Sequence, residues 1–169
     1  MKALLVVLVL WTPILAENGV SFVNEGIVDA PIEEVWKIVS TSEGYRVLGP
    51  AQAEVDLRIG GKIRARYGSD GPLGDEETIE NRILAFEPPT MMAIQIEKPP
   101  KSFPFKEAWK NPWSVLTLKP LEGGRTLVRA ASLGYGSDSE SDAMLKFFET
   151  GNQQVIQNIK KHFSREKAE

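Results

Sequence analysis

The feature that most constrains this chain is a change of hydrophobic period. Between Ala53 and Ser132, loops aside, apolar residues recur at every second position. After Ser137 they recur at the spacing of one long helix, with Met144, Phe147, Phe148, Val155, Ile156 and Ile159 as its apolar set. A period of two means strands with one dry and one wet face, as antiparallel sheets allow. The dry face must be covered, and the closing amphipathic helix is the segment available to cover it. The pattern therefore predicts an α+β protein of helix-grip fold, a curved antiparallel β-sheet around a long C-terminal α-helix.

The remaining elements follow the same logic. Val20 to Val28 reads as a first strand. Pro31 opens a helix in which Ile32, Val35, Trp36 and Val39 share one face. Ser42 to Leu48 reads as a second short helix, stopped by Gly49-Pro50. Ala53, Val55 and Leu57, then Ile63, Ala65 and Tyr67, form the dry side of a hairpin turned at Gly60-Gly61. From Thr78 to Phe86 the parity switches between Ile83 and Leu84, which predicts a bulge. Met92, Ile94 and Ile96, then Leu116 and Leu118, then Val128, Ala130 and Ser132 complete the alternating set. Ser137 or Asp138 caps the last helix. Gly151 interrupts that helix at a cost of about 1 kcal/mol relative to alanine, and would let another backbone or a ligand come close.

The first sixteen residues, MKALLVVLVLWTPILA, have the order of a secretory signal peptide: a charged start, a short apolar run and a small residue at the cut. Cleavage after Ala16 leaves residues 17–169 as a single domain, exported to a periplasm or secreted. The competing reading is an uncleaved anchor. A span needs about 20 apolar residues, and Pro13 arrives too early, so no stable membrane span is expected after cleavage. There is no cysteine, so stability must come from the core without disulfides. The net charge of −3 becomes −4 without Lys2, and no basic stripe marks a nucleic-acid partner. The oligomeric state is left open.

Four runs in order, VDAPIEEVWKIVS, EVDLRIGGKIRARYG, ILAFEPPTMMAIQIE and SVLTLKPLEGGRTLVRAASLGYG, followed by the closing helix, carry a family resemblance. The chain resembles the Aha-type domains, named for activators of the ninety-kilodalton heat-shock-protein ATPase, within the START and birch-pollen-allergen (SRPBCC) superfamily. The similarity runs from about Ser21 to Phe163. It implies a helix-grip fold with a cavity between sheet and long helix. It also implies a lipid-like, steroid-like or polyketide-like ligand, or in some members cyclase or hydrolase activity. Val47-Leu48 replaces the usual Trp-Trp pair, Ser132 stands where a histidine is common, and the loop from Lys98 to Pro112 is long for the family.

Candidate site residues come from two sets. Phe103, Phe105, Trp109 and Trp113 sit in the proline-stiffened loop KPPKSFPFKEAWKNPW, as a lid over a pocket, a plug of the core, or an exposed docking patch. Tyr67, Asn81, Met92, Ile94, Leu116 and Ser132 of the strands, faced by Met144, Phe147, Phe148 and Gly151, line a cavity or fill a core. Polar groups available inside are Tyr67, Asn81, Ser132 and Tyr135. No catalytic residue is assigned: His162 is the only histidine, near the end of the last helix, and Cys–His or Ser–His pairings lack support. Zinc ligation lacks its usual ligands, and no cofactor is called for. The expected function is the binding of a small hydrophobic ligand. The alternatives are a cyclase- or hydrolase-like enzyme and an interaction protein docking through residues 98–112.

Overall fold

Each alternating segment forms a strand. The computed structural model describes residues 20–166, so the expected leader, residues 1–16, lies outside the described residues. The strands are β1 (Val20–Val28), β2 (Gln52–Val55), β3 (Lys62–Arg66), β4 (Ile79–Glu87), β5 (Met91–Lys98), β6 (Trp113–Leu121) and β7 (Arg125–Leu133). They pair antiparallel in the order β1-β7-β6-β5-β4-β3-β2, a curled half-barrel. The parity switch in β4 is a register shift between Ile83 and Ala85. It adds Leu84 as an extra residue and returns Phe86 to the face of Ile83, which reconciles the two parities in the sequence.

The helices start where local chemistry supplies partners for their free N–H groups. Helix α1 (Ile32–Ser40) follows Pro31, whose carbonyl accepts from the N–H groups of Glu34 and Val35, both at 3.1 Å. Helix α2 (Ser42–Tyr45) is capped by Thr41, whose hydroxyl accepts from Gly44 N at 3.0 Å, and continues as a 3-10 turn over Arg46–Leu48. Helix α3 (Ser139–Glu166) begins on Asp138, whose carboxylate accepts from the N–H groups of Glu140 and Ser141 at 3.0 Å. The Ser141 hydroxyl and these N–H groups hold that carboxyl below its ordinary range.

The core is divided. One part joins Val28, Leu118 and Val128 of the sheet to Ile32, Val35 and Val39 of α1 and to Ile156, Ile159 and Phe163 of α3. The other is Ile63, Ile83 and Met92. Half-buried Trp36 and Tyr45 pack against both. Helix α3 lies across the edge strand β1, and Asn158 ties it to the end of the 3-10 turn by donating to Leu48 O at 3.0 Å.

That seat depends on Gly26. A Cβ at Gly26 would overlap Ile156 Cγ2 and crowd Lys160, so the missing side chain is what lets the helix settle onto β1. The expected close approach at Gly151 is not made: a Cβ there would meet nothing within 4 Å. Seven strands at about 4.8 Å spacing make a surface roughly 30 Å wide, whereas one helix with its side chains is about 10–12 Å across. A helix seated over β1 therefore leaves part of the concave face of β2–β5 for other segments to cover.

The two glycines should respond oppositely to the same substitution. Gly26→Ala should cost about 1–3 kcal/mol through overpacking against Ile156. Gly151→Ala should stabilise by about 1 kcal/mol, because it removes a mid-helix glycine at an open position. Urea denaturation of both variants measures this, and equal shifts would contradict the seating.

Candidate functional site

Alternation sorts the side chains of the sheet by charge. Among the described strand residues, the concave face carries no Lys, Arg, Asp or Glu. The register places Lys62, Arg64, Glu80, Arg82, Lys119 and Arg129 on the convex side, opposite Ile63, Asn81, Leu118 and Val128. Convex charges pair with one another: Lys62 with Glu80 at 2.7 Å and Glu97 at 3.1 Å, and Arg129 with Glu25 at 3.2 Å. The concave face is aliphatic and aromatic, broken only by neutral polar residues.

That face is not filled. Ile63, Ile83, Met92, Leu118 and Val128 are buried, yet Val55, Leu57, Phe86, Ile94 and Leu116 remain half-buried although they point inward. Val55, Leu57, Phe86 and Ile94 pack at the margin of the Ile63–Ile83–Met92 cluster beside Trp36 and Tyr45, and Leu116 packs at the margin of the larger cluster. Burial pushes the Tyr45 phenol well above its ordinary value.

The loop 98–112 packs on the first turns of α3. Phe103 and Phe105 stack edge-on at 5.2 Å and pack against Phe147 and Phe148 of α3, with ring centroids 5.7 to 6.1 Å apart. Glu140, one residue into α3, accepts from the backbone N–H groups of Lys106, Glu107 at 3.3 Å and Ala108 at 3.2 Å. At the loop's other end Lys101 donates from its backbone N–H to Glu76 O and from its ammonium to the Glu76 carboxylate, both at 2.8 Å. The Ser102 backbone N–H reaches the Glu77 carboxylate at 3.2 Å. The 68–78 loop that presents these glutamates is itself held by Arg66, which bonds Asp70 and Asp75 at 2.9 Å. Burial raises the Asp75 carboxyl, but the guanidinium and nearby donors outweigh it and hold it below its ordinary value.

A neutral polar cluster joins β6, β7 and α3. The Ser132 hydroxyl, 1% exposed, is 3.5 Å from the Ser114 hydroxyl on β6 and 3.4 Å from the Asn152 amide nitrogen on α3. Tyr135 stands next to it. Burial pushes its phenol up to about 12, an effect the Ser132 hydroxyl partly offsets. On the far side of α3, the Asn24 amide oxygen is buried without a hydrogen-bond partner, at a cleft of about 520 Å³ shared with Thr150, Gln153 and Gln157.

The candidate residues thus divide. Asn81, Met92, Ile94, Leu116 and Ser132 share the concave face; Met144 is buried on α3, and Phe148 packs with Phe103, which in turn packs with Phe105. Phe147 joins the phenylalanine cluster while 51% exposed. Trp109 folds onto its own loop, donating from its indole N–H to Lys106 O at 3.0 Å. Trp113 is the first residue of β6 and pairs with Gln95 and Leu133 on the convex side, 37% exposed, because a strand turns successive side chains to opposite faces. Tyr67 falls just past β3 and is 62% exposed. Sequence reasoning missed Ser114, Asn152 and Glu140. Asn152 had a readable signal, one polar residue four positions after Phe148 in an otherwise apolar helical stripe.

A family profile described as "Activator of Hsp90 ATPase homolog 1-like protein" matches residues 29–164. No curated protein matches the chain. Among solved structures, a protein from Mesorhizobium loti is similar at a TM-score of 0.67 and 15% identity, covering 85% of this chain and 96% of that one. An Hsp90 activator from Plasmodium falciparum is similar at a TM-score of 0.66 and 17% identity, covering 86% and 97%. The Aha1 dimer from Colwellia psychrerythraea is similar at a TM-score of 0.58 and 12% identity, covering 82% and 95%. At these identities the likeness is one of fold.

The tether of the 98–112 loop to Glu140 is testable. Glu140→Ala removes an acceptor shared by three backbone N–H groups, and a lost charge-assisted bond is worth about 1.5–3 kcal/mol. Hydrogen exchange of the amides of residues 106–108 should speed up by about tenfold or more, with β5–β7 unchanged. Unchanged exchange at those amides would refute the tether.

Proposed function

The chain belongs to the family of activator of Hsp90 ATPase homolog 1-like proteins, and on that premise we propose that it is an exported binding protein that encloses a small, neutral, apolar molecule. The family and fold are those of a ligand-binding or Hsp90 co-chaperone-type domain. The observation that favours a ligand is the uncharged concave face on which Ile94, Leu116 and Phe86 stay half-buried at the margins of the core. Apolar surface left facing a groove is stabilised by an apolar occupant, at about 25 cal/mol per Å² removed from water. A charged occupant would lose its hydration with no counter-charge on the sheet.

Binding is favoured over turnover. The hydroxyl of Ser132 has Ser114, Asn152 and Tyr135 as neighbours, and none of these is a general base near neutral pH. Export is supported by the order of charge, apolar run and small residue in residues 1–16, and it would separate the protein from a cytosolic chaperone.

The mature protein, prepared without detergent, should enhance the fluorescence of N-phenyl-1-naphthylamine and shift its own tryptophan emission through Trp36. Ile94→Glu, which puts a carboxylate in the groove, should weaken this by at least about tenfold while the far-ultraviolet circular dichroism is kept. No probe binding by the native protein, together with no apolar species in a denaturing extract read by mass spectrometry, would end this reading. Expressed from its full sequence in its own cell type, the protein should appear outside the cytoplasm with Glu17 as its first residue; an intact Met1 on the cytoplasmic form alone would refute export.

A further inference from the structure

The two edges of the sheet differ. At one edge β2 is only four residues long, the Val55 N–H donates to the Ser42 hydroxyl at 3.0 Å, and Gln52 exchanges hydrogen bonds with Gly71 and Leu73 at 2.8 and 3.0 Å. At the other edge β1 runs nine residues and pairs with β7 alone. Among the described residues, no side chain and no loop backbone hydrogen-bonds the main chain of residues 22–28 from outside the sheet. The outer N–H and C=O groups of such a strand are a template for another strand. Beside this edge lies the cleft of about 520 Å³ between β1 and α3. It touches Val23, Asn24 and Glu25 together, three successive residues whose side chains alternate between faces, so it opens along the edge of the strand and not over one face. We propose that this edge and its cleft bind an extended peptide segment of a protein partner, which adds to β1 as a strand and lays a hydroxyl- or amide-bearing side chain over Asn24.

The residues along the edge specify that segment. Asn24 is 6% exposed and its amide oxygen has no partner, an arrangement that costs free energy until a donor meets it. The terminal torsion of an asparagine is broad, so its amide can turn to an incoming group. Thr150, Gln153 and Gln157 follow one another along one stripe of α3, at i, i+3 and i+7, and supply further neutral donors and acceptors. On the opposite face of the strand Val23 and Ile27 are 38% and 44% exposed, to either side of Glu25. Glu25 is paired with Arg129 at 3.2 Å, so the edge presents little free charge. A complementary strand therefore alternates, with β-branched side chains against Val23 and Ile27 and Ser, Thr, Asn or Gln toward Asn24 and the helix. A compact ligand would leave the row of main-chain groups unpaired, whereas an extended backbone uses both row and cleft. The site includes none of Ile94, Leu116 and Phe86, so it stands or falls separately from the apolar ligand.

A displayed library of random heptapeptides, selected on the native protein, tests this. The selected peptides should show the alternation described, and as free peptides they should bind the Asn24→Leu variant at least about tenfold more weakly than the native protein. Two further readouts leave the protein unaltered. Backbone N-methylation of the peptide should abolish binding at every second position and be tolerated between them, because an edge strand bonds alternate residues of its partner. Amide hydrogen exchange of residues 23–27 should slow when peptide binds, with β2–β5 unchanged. Failure to select any peptide, protection of β2 in place of β1, equal binding by Asn24→Leu, or N-methylation tolerated at every position would each overturn the proposal. A concentration-dependent dimer that protects the same amides would also overturn it, by giving the edge to a second copy of the chain.

Discussion

The structure depends on the contact between Ile156 of α3 and the bare backbone of Gly26 on β1. A helix can pack on an edge strand only as closely as the side chains between them allow, and here one of them is missing. The seat places the long helix at one margin of a seven-stranded sheet, secured by Asn158 on Leu48 O and by the core of Ile156, Ile159 and Phe163. Everything on the other side follows from width. One helix cannot cover seven strands, so the concave face of β2–β5 meets shorter segments, and while Ile63, Ile83 and Met92 are buried, Val55, Phe86 and Ile94 stop half-buried.

The segments that complete the cover use different forces. On one side Trp36 and Tyr45 bridge the two halves of the core by apolar packing. At the other end the 98–112 loop combines a four-phenylalanine contact with carboxylates of Glu140, Glu76 and Glu77 aimed at loop N–H and ammonium groups. Ionic contacts at the surface are individually weak, so the phenylalanine packing and the shared Glu140 acceptor together set the geometry of this loop. Among the described strand residues, charges are kept to the convex side, which leaves the concave face to neutral groups.

Much of this was legible in the chain. The period-two runs and the closing amphipathic stretch determine which residues turn inward once strands form, so Ile63, Met92, Ile94, Leu116 and Ser132 were identifiable as one face. The bulge in β4 was visible as a clash of parity at Ile83 and Leu84. Trp113 was grouped with its loop because the boundary between loop and strand carries no periodic signal; one residue of added strand sends its ring to the opposite side. Tyr67 is the same error in reverse, an alternating residue just beyond the last pair of β3.

By itself the sequence determined the class of fold, the polarity of each face and the amphipathic helix, because those depend on local periodicity and on the cost of wetting apolar side chains. Only the tertiary structure decided that Gly26, not Gly151, receives the close contact, since both are single glycines in amphipathic segments and only the crossing point of helix and strand tells them apart. It also brought together Ser114, Ser132, Tyr135 and Asn152, which come from three separated stretches of chain. Their convergence is a matter of strand register and helix rotation, neither of which is encoded in the spacing of any one segment.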